Sequence, residues 1–219
     1  MLFTALLAVL AITTNAQVSF DVETVDKKRV VRGTESFQKT DNEIFANVVL
    51  WAINQGPSLK EEIVDCDFVK RELNMNYNLK KEDAIAYACR LKIKVAQGKL
   101  VFLVSDVKMQ GGLLGAFLNF DKLNPEKKTK HQDIINEFRS LNNQKIQEMF
   151  SYISEHNPVI TNWNNVCVNK IDKGMSCDEA MLVYGKPLSI QSDGTKEQYM
   201  FSSFVYVYIE NGLVISFVN

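Results

Sequence analysis

The sequence predicts an α+β protein built on antiparallel sheet, and three observations carry that reading. Two apolar patterns recur at helical intervals, one over residues 41–54 and one over 131–155. Shorter runs between and after them alternate apolar with polar or small side chains, as half-buried strands do. Two pairs of such runs turn back at Gln97-Gly98 and at Asn211-Gly212, the latter the preferred pair for a two-residue type I′ turn.

The chain opens with MLFTALLAVLAITTNAQVSF, which holds no charged side chain. Its apolar run from Leu2 to Ile12, followed by Thr13-Thr14-Asn15-Ala16, predicts a signal peptide over 1–16, cleaved after Ala16. Crossing a bilayer takes about 20 apolar residues, and this run is too short. The expectation is an exported protein, periplasmic or outer-membrane-associated. No transmembrane anchor is visible, and no lipid-attachment cysteine follows the apolar run.

A strand is expected over Val18–Val25, then an irregular charged stretch, glycine-containing, from Asp26 to Lys39. Thr40-Asp41-Asn42-Glu43 has capping-box spacing. It starts a helix from Asp41 to about Asn54, stopped by Gly56-Pro57. Ile63–Phe68 and Leu73–Leu79 are short strands, and Tyr87–Val95 with Leu100–Val107 forms a hairpin. Gly111-Gly112-Leu113-Leu114-Gly115 and Asn124–Lys130 connect irregularly to a long helix, His131–Glu155. Asn157-Pro158 ends it and sets a domain boundary, giving one domain over 17–159 and a second over 160–219. In the second, one short helix precedes strands at Leu188–Gln191, Gln198–Phe201, Ser203–Ile209 and Leu213–Val218.

The run YACRLKIKVAQGKLVFLVSDVKMQGG, with a helix before and a long helix after, resembles an exported bacterial family of unknown function. The resemblance implies a TATA-binding-protein-like fold over about residues 18–157, an antiparallel sheet with two helices. The tail, IDKGMSCDEAMLVYGKP followed by strands ending VYVYIENGLVISF, resembles the SmpA/OmlA (BamE-like) domain of outer-membrane assembly. Ile171, Gly174, Met175, Ser176, Gly185, Pro187, Asn211 and Gly212 match that pattern, which implies a small αβ unit with a terminal β-meander. Members of that family carry a lipidated N-terminal cysteine and usually stand alone; this chain does neither.

Charge and composition narrow the function. Lys+Arg 25 against Asp+Glu 26 leaves a net charge of -1, with no basic stripe for nucleic acid. The only histidines, His131 and His156, lie near opposite ends of the long helix. No Gly-x-Ser-x-Gly elbow and no paired Cys or His at zinc spacing occurs, so no cofactor or metal is expected. Asp65/Asp67 and Glu82/Asp83 read as ordinary surface carboxylates, and the lysines at 127, 128 and 130 as a solvated loop. Cys177 is the best single candidate for thiol chemistry, because the first turn of a helix lowers a thiol's pKa; the favoured reading is that it merely occupies that turn or joins a disulfide. The even set Cys66, Cys89, Cys167 and Cys177 permits disulfides, Cys66–Cys89 and Cys167–Cys177 being the domain-internal pairs, or four free thiols.

GMSCDEAMLVYGKP reads as punctuation. Ser176 is the N-cap and Glu179 its capping-box partner, while Met175 sits where a hydrophobic staple begins. Gly185 occupies the C′ position and Pro187 blocks continuation. The functional expectation falls on the last hairpin. A tight Asn-Gly turn would pair Tyr208 with Ile215 and Tyr206 with Phe217, gathering Phe204, Tyr206, Tyr208, Ile215 and Phe217 on one face. Such a face either meets a partner, an unidentified envelope protein, or packs on the first domain or around Trp163. The reading is a non-enzymatic envelope protein acting through protein contacts. The alternatives are a small-ligand-binding periplasmic protein and a thiol-dependent enzyme centred on Cys177.

Overall fold

The computed structural model describes residues 19–55, 62–81, 84–110, 117–126 and 129–218. Its first helix, α1 (Asp41–Gln55), begins on a closed capping box. The Thr40 hydroxyl accepts from the Glu43 N–H at 3.3 Å, and the Glu43 carboxylate accepts from the Thr40 N–H at 2.8 Å. Bonds from Thr40 hold the Glu43 carboxyl below its ordinary pKa, the hydroxyl's contribution being the largest. Every residue from Ile44 to Ile53 is buried, so α1 is wrapped on all sides.

The wrapping comes first from a seven-stranded antiparallel sheet. Its strands are β1 (Glu23–Val25), β2 (Lys28–Ser36), β3 (Ile63–Asp67), β4 (Glu72–Lys81), β5 (Ala84–Ala96), β6 (Lys99–Gln110) and β7 (Phe117–Asn119). They run in the order β1-β2-β6-β5-β4-β3, with β7 added to β6. On β4 the side chains of Leu73, Met75, Tyr77 and Leu79 are buried, while Asn74, Asn76 and Asn78 take the opposite face. The long helix α2 (Thr129–Glu155) lies beside α1 and packs on β4. An antiparallel sheet with two helices is the architecture expected for this part of the chain.

One strand was hidden in the sequence. The stretch expected to be irregular contains β2, which pairs with β6 from Val31↔Val104 to Ser36↔Lys99. Its turn, Asp26-Lys27, has positive φ at both residues (49° and 65°) without glycine, and its outward side chains, Lys28, Arg32, Thr34 and Ser36, are polar or charged. Both features mask the signal for a strand. Conversely, of the strand expected over Val18–Val25 only Glu23–Val25 forms, and Val18 lies outside the described residues. Phe20 instead exchanges two hydrogen bonds with the Asn143 amide on α2, at 3.1 and 3.2 Å, and its ring lies edge-on to Phe102. Gly33 sits directly beneath that ring: a Cβ there would stand 2.3 Å from a Phe20 ring carbon.

The second sheet follows α2 through two short helices, α3 (Trp163–Cys167), which the sequence pattern did not signal, and α4 (Cys177–Tyr184). Its strands β8 (Ser189–Ser192), β9 (Lys196–Ser202), β10 (Val205–Glu210) and β11 (Leu213–Val218) form a meander in the order β11-β10-β9-β8. Helix α4 shields one face, where Tyr184 meets Phe201 at 5.3 Å between ring centroids. Its other side rests on α1. The rings of Phe45, Phe68 and Trp163 meet edge to face at 5.7 Å each, so apolar packing crosses residue 160. The predicted signal segment 1–16 lies outside the described residues, as do Gly56-Pro57, Glu82/Asp83, the 111–115 glycine cluster and the lysines at 127 and 128.

Two substitutions probe this packing. Gly33→Ala drives a methyl into the Phe20 ring and is expected to destabilise the fold by about 1–3 kcal/mol in urea denaturation. Asn142 on α2 is buried with both amide atoms unpaired. Asn142→Leu, similar in volume, is expected to raise the midpoint of thermal unfolding.

Candidate interaction surface

The second sheet is held in place from the start of α4. Ser176 Oγ accepts from the Glu179 N–H at 3.1 Å, and the Glu179 carboxylate accepts from the Ser176 N–H at 2.9 Å. Glu179 is fully buried, and the same carboxylate accepts from the Thr161 N–H, the Thr161 hydroxyl and the Asn162 N–H. The Ser176 hydroxyl donates to the Val159 carbonyl, and Asp178 accepts from the Val159 N–H at 2.9 Å. Thus α4's cap also grips the segment that leaves α2. Met175 is buried, and its sulfur accepts from the Asp172 N–H at 3.1 Å. Gly174 takes φ 84° and Gly185 φ 89°. With ψ -157°, Gly185 closes α4 in an extended glycine conformation, not the left-handed helical one expected of a C′ residue.

Of the two states the even cysteine count left open, this structure has the free one: Cys66, Cys89, Cys167 and Cys177 are unbridged. Burial and then the Asp178 carboxylate push the Cys177 thiol above its ordinary pKa. This corrects the expectation from its first-turn position: desolvation and a neighbouring anion outweigh the helix terminus. The histidines are likewise engaged in the fold. His131 Nδ1 accepts from the Asn124 N–H at 2.8 Å, and His156 stacks on Tyr152 and faces Asp178 at 3.9 Å. Among the described residues no three His, Cys, Asp or Glu gather as a metal site, and no helix is long and apolar enough to cross a membrane.

The terminal hairpin turns at Asn211-Gly212, both at positive φ, but its register differs from the one a plain two-residue turn implies. Ile215 is the extra residue of a bulge: Ile209 pairs with Val214, and Tyr208 with Ser216. Beyond it every partner moves by one. Tyr206 meets Val218, and Phe217 meets the fully buried Val207 and packs against the core. Phe217 therefore leaves the expected surface, and Val218 takes its place.

The outer face of the sheet, away from α4, then carries Val218, Tyr206 and Met200 in one row and Ser216, Tyr208 and Gln198 in the next. Phe204, at the β9–β10 turn, is 81% exposed, Val218 56% and Ile215 37%. Tyr206 and Tyr208 are half-buried by their sheet neighbours and remain open above. Trp163, which could have covered this hairpin, is the edge partner of Phe68 beside α1. Leu188 and Ile190 at the β8 edge are exposed as well, at 65% and 52%, but Ile190 pairs with the buried Tyr199 and so belongs to the other face. A cluster of this kind, aromatic and aliphatic with phenol groups and a polar border, has the make-up of a protein-binding patch. The sequence supplied its tyrosines; the bulge that selects Val218 over Phe217 has no mark in the sequence.

Comparison with known proteins leaves the family open. No family model and no curated protein matches the chain. Two solved structures are similar to it. One is a TBP-like protein from Parabacteroides distasonis ATCC 8503, 14% identical, covering 60% of this chain and 94% of that one at a TM-score of 0.47. The other is a DUF4468 family protein from Bacteroides ovatus ATCC 8483, 11% identical, covering 63% and 93% at a TM-score of 0.46.

Removing the Glu179 carboxylate leaves the buried Ser176 N–H, and the donors of Thr161 and Asn162 nearer the surface, without their acceptor. Glu179→Ala is expected to cost about 2–3 kcal/mol of stability by denaturant unfolding. The thiols give a pH dependence. Burial pushes Cys66 and Cys89 from an ordinary 9.0 up to about 12, Asp65 and Asp67 adding to the shift at Cys66. Between these values the unfolded chain has released thiol protons that the folded chain keeps. Stability is therefore expected to fall as pH rises from 9 towards 12, and Cys66→Ser with Cys89→Ala should flatten that slope.

Proposed function

We propose that the protein is exported and works without catalysis, binding another envelope protein through the outer face of its second sheet. The observation that carries this reading is the uncovered cluster of Phe204, Tyr206, Tyr208, Met200 and Val218 on a sheet whose other face buries Tyr199, Phe201, Val207, Ile209 and Val214. Burying such side chains contributes about 25 cal/mol per Å² of apolar surface removed from water, and the phenol hydroxyls can bond across the interface. The uncharged opening run supports export. The order of one capped helix, Gly-x-Pro and a four-stranded meander supports a BamE-like second domain over 160–219. The thiol-enzyme reading loses its motive, since Cys177 sits where the thiolate is disfavoured.

The test compares the mature protein with the Tyr206→Ser/Tyr208→Ser and Phe204→Asp variants as baits in cross-linked envelope fractions. The expected outcome is that one reproducible set of cross-linked proteins is lost in both variants while their circular dichroism and melting temperature hold. Partners retained by variants of intact fold would remove this surface from consideration. In fractionation, the mature chain is expected outside the cytoplasm with its N-terminus at Gln17. Retention of Met1 on the cellular protein would contradict export by cleavage.

A further inference from the structure

The first sheet also has an uncovered face, the one turned away from α1 and α2. The strand registers place Arg90, Lys92 and Lys94 of β5 on it, beside Ser105, Leu103 and Val101 of β6. Lys99 and Lys108 lie on the same side of β6, and all four lysines are exposed. Asp106 is the one acid on these two central strands, and it is paired with Lys28 of β2 at 3.4 Å. The other carboxylates of this face stand towards its margins. Glu23 holds Arg32 at 2.9 Å, Glu72 holds Lys94 at 2.8 Å, and Glu62, Asp65 and Asp67 border the β3 side. Among the described residues Arg90, Lys92, Lys99 and Lys108 have no ion-pair partner. A chain with a net charge of -1 has thus gathered uncompensated positive charge at the middle of one sheet face.

Apolar surface lies among these cations. Val101 is 48% exposed, and with the half-buried Leu103 it lines a shallow groove of about 350 Å³ that Lys92 and Lys94 flank. Like charges on alternate residues of one strand stand only about 7 Å apart and repel, so an anionic partner is favoured there. A phosphate backbone would leave Val101 and Leu103 unused, whereas a polypeptide brings carboxylates and apolar side chains together. We infer that this face docks an acidic protein segment, whose carboxylates meet Arg90, Lys92, Lys99 and Lys108 and whose apolar side chains cover Val101 and Leu103. It belongs to the other sheet from the hairpin surface, and either can fail without the other.

The test is fluorescence anisotropy of the labelled peptide Glu-Glu-Leu-Glu-Glu-Leu-Glu-Glu titrated with the whole chain at about 50 mM salt, where exposed charges are weakly screened. Saturable binding is expected, at least about tenfold weaker in Lys92→Glu/Lys108→Glu and less weakened in Lys92→Gln/Lys108→Gln. Both positions are exposed, so circular dichroism and the melting temperature should hold in each variant. Val101→Thr, or serine in place of the peptide's leucines, should weaken binding about threefold through lost apolar contact. Phe204→Asp, on the other sheet, should leave binding unchanged. The inference is overturned by absent binding, by binding that the folded Lys92→Glu/Lys108→Glu variant retains, or by its loss in Phe204→Asp. A DNA duplex that binds as tightly as the peptide at about 150 mM salt, or indifference to Val101→Thr and to the leucines, overturns the acidic protein segment as the occupant.

Discussion

The arrangement of the two sheets depends on one buried carboxylate. Glu179 closes the cap of α4 through the Ser176 N–H and, with its remaining lone pairs, holds Thr161 and Asn162 just beyond α2. A buried charge is tolerated where several donors satisfy it. Here those donors belong to two segments that must stay together for the second sheet to sit on α1. Local helix punctuation and long-range assembly are thus the same set of bonds. A capping box on an exposed helix would serve only its own first turn.

The far end of the linker is secured in a related way. The last carbonyls of α2 are met from α1 and its approach: the Asn47 amide donates to Ile153 and His156, and the Lys39 ammonium donates to His156. These donors satisfy groups that a helix terminus leaves open, and the lysine also suits the negative end of the helix dipole. With both ends of 156–162 tied down, Trp163 reaches Phe68 and the apolar core continues between the sheets. The inner face of the meander is consumed by this packing from β9 to β11. Its outer face is left over, which is why the aromatic residues there stay uncovered.

Much of this was legible residue by residue. The Thr40–Glu43 box, the 3.6-residue pattern of α1 and α2, and the Gln97-Gly98 hairpin rest on interactions only a few residues apart, so local sequence carries them. Strand β2 was not legible. Its outward positions are polar or charged, its turn uses Asp26-Lys27, and Gly33 marks the passage of a distant ring instead of a bend. Helix α3 is too short, at five residues, to show a period. At the candidate surface the tyrosines of β10 could be read from alternation, whereas the bulge at Ile215 exchanged Phe217 for Val218.

By itself the sequence determined the α+β class, both long helices, the start and stop of α4, and the absence of a recognisable catalytic or zinc motif. Each of these is written in neighbouring residues, where spacing fixes which side chains meet. Only the tertiary structure decided the fate of the thiols, the second duty of Glu179, and the hairpin face left uncovered. Those outcomes depend on which distant groups remove water or supply a donor. Burial and an adjacent Asp178 overrode the helix terminus at Cys177, and the packing of Phe217 against the core accompanies a register that no pair of turn residues could specify.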